Sequence, residues 1–108
     1  MTKVIFLRSA EADLGDLRAY VVRRFGMPVW RKSLGKIKDT VALIERHPQS
    51  GSVPPELEGL ALGQFRQLIA GMNRVIYELR DGAAFIHLVC DTRRDLQLLL
   101  LRRLTRGE

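Results

Sequence analysis

A small set of residues in the second half of the chain has the types and spacing to hold an anion or move a proton. They are Arg74, Glu78 and His87, followed by Arg93 and Arg94. His87 carries an imidazole, which takes and gives a proton near neutral pH. Arg74 and Arg93 are permanently cationic, able to stabilise charge but poor as acids or bases. Whether they meet is a question of strand register. Asp81-Gly82 lies between two β-rich runs, and this dipeptide suits both positive-φ positions of a type I′ turn. A two-residue loop there sets Arg80 opposite Ala83, Glu78 opposite Phe85 and Ile76 opposite His87, with residue 74 opposite residue 89. His87 then lies diagonal to Arg74 and Glu78. Arg93 emerges close to Arg74, so that one phosphate or carboxylate could bridge the two. The trio Arg74, Glu78 and His87 reads either as an acid–base site or as a structural ion pair beside a histidine. Equally, Arg74 can pair with Glu78, and Arg93 or Arg94 with Asp91 or Asp95.

These residues ride on the stretch Gln64–Asp95, which reads as three strands joined by tight turns: QFRQLIAG, MNRVIYELRDG and AAFIHLVCDTRRD. With the register above, Val75, Tyr77 and Leu79 share a face with Ala84, Ile86, Leu88 and Cys90. That face is nearly all apolar and is the expected core. Arg74, Ile76 and Glu78 share the other with Phe85, His87 and Val89.

The remaining elements follow in chain order. Lys3–Arg8 is an apolar run suited to a buried strand. Ser9 is the expected N-cap of a first helix, with Leu14, Leu17, Val21 and Phe25 at helical spacing and Gly26 as its stop. A second helix starts at Pro28, with a seam of Trp30, Leu34, Ile37, Val41 and Ile44, and ends at His47-Pro48. The joint at Gly26-Met27 makes the two an antiparallel hairpin that needs a sheet to cover it. His47–Gly63 is a long connection, readable as a functional loop or as a plain crossover. Asp91-Thr92 is expected to open a last helix running through Leu104. Its Leu98 and Leu101 widen the apolar face beyond what one sheet covers, for a partner or for the domain's own core.

Composition bounds the rest. The chain has 108 residues, 46% of them apolar, which predicts one α+β domain spanning residues 1–108. No apolar run approaches the roughly 20 residues of a membrane span. Met1-Thr2-Lys3 leads into a strand without a signal-peptide pattern, so a cytoplasmic protein is expected. A single cysteine, Cys90, excludes an internal disulfide and cysteine-based metal sites within one chain, and no cofactor or metal is expected. The formal charge of +6 favours nucleic acid or an acidic protein as partner. A solvated basic surface without a ligand is the alternative.

The order β-α-α-β-β-β-α with a basic sheet face resembles the RelE/ParE superfamily of toxins from bacterial type II toxin–antitoxin modules. The residues that carry the resemblance are the opening strand with SAEADLGDLRAYVVRRFG, then FRQLIAGMNRVIYELRDG, then FIHLVCDTRRDLQLLL. Within them, Arg66, Gly71 and Arg74-Val75-Ile76-Tyr77 match the family's most typical pattern. The resemblance spans nearly the whole chain, and the ordered combination of short motifs carries it. It implies a growth-inhibitory toxin, of the kind that stabilises plasmids, held inactive by a cognate antitoxin.

The superfamily has two well-known activities: RelE-like members cut mRNA on the ribosome, and ParE-like members poison DNA gyrase. The first needs a base for the 2′-OH, cations for the phosphate and an acid for the leaving oxygen. Carried over by resemblance, Arg66 matches a strand lysine, Arg74 the strand arginine and Arg93 the arginine after the last strand. His87 is the substitute proton carrier. Leu68 stands where a second basic residue is expected, and Leu99 roughly where the family has a tyrosine. The remaining set binds phosphate better than it moves protons. The resemblance therefore favours gyrase poisoning over a metal-independent, ribosome-dependent endoribonuclease, with an inactive homologue that binds or co-represses as a third reading.

Overall fold

A computed structural model of the chain describes residues 1–106. The turn at Asp81-Gly82 forms as its residue types dictate, with φ of 53° and 77° at its two central positions. It joins β3 (Asn73–Arg80) to β4 (Ala83–Asp91). Gly71-Met72 joins β2 (Phe65–Ala70) to β3, and there only the glycine takes positive φ, as a type II′ turn requires. The opening strand β1 (Lys3–Phe6) adds in parallel to β4, giving the sheet order β1-β4-β3-β2. The β-α-α-β-β-β-α order is therefore the one the sequence implies.

Helices α1 (Arg8–Phe25) and α2 (Met27–Arg46) meet at Gly26, whose φ of 91° breaks the helix between them. Their seam buries Ala10, Ile37 and Ile44 against Val75, Tyr77, Ala84, Ile86 and Val89 on one sheet face. The long connection crosses to the other face, where a short 3-10 turn (Pro55–Leu57) lays Leu57 beside Phe65, Ile76 and Leu88. Helix α3 (Leu96–Arg106) covers the same face with Leu96 and Leu100. The sheet thus carries a core cluster on each side, and the face of Arg74 and Ile76 is covered rather than open.

Four sequence expectations need correction. The first strand ends at Phe6 rather than Arg8, because α1 already begins at Arg8. Leu7, not Ser9, is the N-cap residue, and Glu11 N donates to its carbonyl at 3.0 Å. The last helix begins at Leu96 rather than at Asp91-Thr92. β4 runs on to Asp91, and Asp95 caps α3 by accepting from Leu98 N at 3.1 Å. Finally, the register holds from Arg80↔Ala83 to Tyr77↔Ile86, then slips, so that Ile76 faces Leu88 and Arg74 faces Cys90. His87 is the extra residue of a β-bulge. Leu88 and Cys90 consequently leave the face of Val75 and Tyr77, and Val89 joins it.

Two side chains from the sheet pin the crossover. The Tyr77 hydroxyl donates to Pro48 O at 2.6 Å and accepts from Gly51 N at 3.0 Å. Arg66 donates to Gln49 O at 3.2 Å and to Gly51 O at 2.7 Å. A Cβ at Gly51 would lie 2.6 Å from the Tyr77 hydroxyl and 2.8 Å from Gln67 O, so glycine is required there by close approach. Tyr77→Phe strands the buried Gly51 amide and is expected to lower stability by about 1–3 kcal/mol in urea denaturation. An unchanged midpoint would mean that the loop holds itself.

Candidate functional site

The structure separates the four residues that sequence reasoning grouped. Arg66 pairs with Tyr77 and points to the helical-hairpin face, where it holds the crossover loop. Arg74 lies on the opposite face and is almost fully buried, at 5% exposure. Its guanidinium makes an ion pair with Glu56 at 2.7 Å and donates to Gln67 Oε1 at 3.2 Å and Arg94 O at 3.3 Å. Its partner is therefore Glu56 from the crossover, not Glu78. Arg93 is exposed and pairs with Asp91, its Nη2 2.9 Å from Oδ2. Arg93 thus takes the Asp91 pairing that was one of its two expected states, while Arg74 meets an unexpected neighbour; each holds a separate carboxylate rather than one shared anion.

His87 does meet Glu78, with Nε2 2.9 Å from Oε1. The pair sits against Phe65, whose ring meets the imidazole edge-on at 5.0 Å. Nδ1 is buried and has no hydrogen-bond partner among the described residues. Arg74 is not part of this pair. The two residues whose types depart from the nuclease pattern have packing roles: Leu68 packs against the helical-hairpin core and Leu99 against the core under α3.

Electrostatics follow this geometry. Burial works against the Arg74 charge, but the hydrogen bond and charge of Glu56 outweigh it and hold the guanidinium above its ordinary value. The Arg74 hydrogen bond in turn holds the Glu56 carboxyl below the usual range. The Arg93 hydrogen bond does the same for Asp91. Burial pushes the Cys90 thiol up, which leaves it a core residue rather than a nucleophile.

A second polar cluster escaped the sequence reading. Arg103 of α3 forks onto Asp13 of α1, with Nη2 2.9 Å from Oδ1 and Nη1 3.1 Å from Oδ2. Nη1 also donates to His87 O at 2.6 Å, and Asp13 Oδ2 accepts from Val89 N at 3.0 Å. These are backbone groups of β4 past the end of β1, which pairs only as far as Ile86. The clamp stands in for the missing strand. Beside it, a cleft of about 730 Å³ opens between α1, the end of β4 and α3. The one signal in the sequence was an arginine at the position where the Leu96–Leu100 seam would continue.

The stability contributed by the Glu56–Arg74 pair has a defined pH sense. A carboxyl held low in the folded state contributes above the usual glutamate range, and the contribution fades as pH falls through the folded value. The melting temperature of Glu56→Gln should therefore lie below that of the parent at neutral pH and converge with it in acid. Arg74→Ala removes a buried charge with several partners and should cost about 2–3 kcal/mol. A thermal melt of each variant across pH checks both, and a gap that widened in acid would reverse the assignment.

Comparisons with known proteins give a family and a fold. The family described as the ParE toxin of the type II toxin–antitoxin system parDE matches residues 4–96. A solved structure titled as a chromosomal ParDE toxin–antitoxin system from P. aeruginosa is similar in fold, with TM-score 0.68 and 17% identity. The match covers 84% of this chain and 96% of that one. The YoeB dimer of Staphylococcus aureus is also similar, with TM-score 0.55 and 18% identity over 86% of this chain and 98% of that one. No curated protein sequence matches. The family match spans most of the chain, and the fold agrees with it: the chain belongs to the ParE toxin family of the RelE/ParE superfamily of type II toxins.

Proposed function

We propose that the chain is a ParE-like toxin that acts by binding and poisoning DNA gyrase, and that a cognate antitoxin neutralises it. The observation that carries this reading is the dispersal of the nuclease candidates. Arg66 holds a loop on one sheet face, Arg74 is buried against Glu56 on the other, and Arg93 sits outside on Asp91. A metal-independent nuclease needs its base, acid and phosphate-binding cations within reach of one phosphate. His87 and Glu78 are the only pair among the four candidates and Glu78 with the makings of proton transfer, and Phe65 packs against the imidazole. The family match and the likeness to a ParDE toxin–antitoxin structure support the ParE side and an antitoxin partner.

The RelE-like alternative would rest on that His87–Glu78 pair with Arg93 as the phosphate cation. Induced expression separates the readings. On the gyrase reading, cells filament, plasmid supercoiling fails and DNA breaks accumulate while translation continues at first. Cleavage of mRNA on programmed ribosomes by purified chain, lost in His87→Ala and Arg93→Ala, would transfer the assignment to the nuclease. Undisturbed growth at matched soluble expression would leave an inactive, partner-binding homologue. Co-expression with the cognate antitoxin, which the family resemblance places in the adjacent reading frame, should restore growth and give a stable hetero-complex by size exclusion.

A further inference from the structure

The cleft beside the Asp13–Arg103 clamp is occupied by no element among the described residues, and its charges are unevenly committed. Arg103 is held by Asp13, and Arg93 by Asp91. Arg94, Arg102 and Arg106 also line the cleft, are exposed, and have no side-chain hydrogen bond or ion pair among the described residues. Asp16 is the one lining carboxylate without such a partner among the described residues. The uncommitted groups are thus three guanidiniums against one carboxylate. Leu17, Tyr20 and Leu99 add apolar surface to the lining.

We propose that this cleft is the docking site for an extended, carboxylate-bearing peptide segment of a partner protein, held by Arg94, Arg102 and Arg106 through charge-assisted hydrogen bonds. The chemistry favours a peptide over a nucleic acid. A phosphodiester chain would bring a charge at every unit past Asp16 and the two neutralised carboxylates. A peptide can place a few carboxylates on the arginines and apolar side chains on Leu17 and Tyr20. The open end of β4 invites a strand, but His87 O and Val89 N on that edge are already bonded to Arg103 and Asp13. Recognition there therefore falls to side chains rather than to a backbone ladder.

This rests on the antitoxin reading only for which protein supplies the segment. Fluorescence anisotropy with purified chain tests the site itself. The probe is a short labelled peptide with glutamates interspersed among leucines and serines, and its controls are the glutamine version and an oligouridylate. The glutamate peptide should bind, and Arg94→Ala/Arg102→Ala/Arg106→Ala should weaken it at least about tenfold with unchanged circular dichroism. No binding of the glutamate peptide, equal binding of the glutamine version, or equal binding by the triple variant overturns the proposal. Tighter binding of the oligouridylate overturns it too, making the cleft a nucleic-acid surface. Co-purification of the adjacent frame's product keeps the two ideas apart. Capture by the parent and the triple variant alike removes the cleft and leaves the antitoxin reading standing. Capture by neither removes the antitoxin reading, while the peptide titration still decides the cleft.

Discussion

One extra residue in β4 determines how the second half of the molecule is arranged. Opposite the Ile76–Tyr77 step, β4 spends both His87 and Leu88 where β3 spends one residue. A bulge of this kind exchanges the faces of everything beyond it. Val89 turns to the helical hairpin, while Leu88 and Cys90 turn to α3. The same distortion aims His87 O and Val89 N away from β3, past the end of β1, at a place where no strand arrives. Without Asp13 and Arg103 those groups would need another partner, and an unmet buried backbone group costs free energy comparable to a lost hydrogen bond.

The clamp therefore links three segments far apart in sequence. Asp13 lies on α1, the two backbone groups on β4, and Arg103 on α3. Such a bidentate pair gives geometric definition as well as energy, since guanidinium and carboxylate meet in one plane. It also sets the spacing of the cleft, because α3 is held against α1 at that point. The polar clamp and the apolar contacts of Leu96 and Leu100 fix opposite aspects of α3: its lateral position and its burial.

Much of the architecture was legible because it is locally encoded. Asp81-Gly82 names its own turn, Gly26 its own break, and the Trp30–Ile44 seam its own helix. The corrections fall where local signals compete with distant ones. Nothing in AAFIHLVCD marks His87 as a bulge, since a residue slipped by one still leaves apolar side chains on both faces of a sheet that is buried on both. Glu56 and Arg74, 18 positions apart, meet only because the crossover folds back over the sheet. Asp13 lies near the start of α1, and its partner Arg103 is 90 positions away. The short-range neighbours, His87 with Glu78 and Arg93 with Asp91, were legible; the partners of Arg74 and Asp13 were not, because the crossover and the packing of distant helices bring them together.

That distinction bears on the chemistry. The sheet face read as polar from strict alternation is the one that Leu57, Phe65, Leu96 and Leu100 fill. An arginine kept there must be paired, since a buried unpaired charge is too costly to hold, and Glu56 supplies the pairing. Leucine at 68 and at 99 extends the two cores at positions where a basic residue or a tyrosine would have had to reach solvent. Each of these choices turns catalytic-looking positions toward packing. The cations left outside, on the loop after β4 and along α3, are arginines, which bind anions at any physiological pH and transfer no protons. The arrangement therefore separates two jobs by depth: the buried arginine holds the crossover to the sheet through Glu56, and the exposed ones give the cleft beside α3 its positive charge.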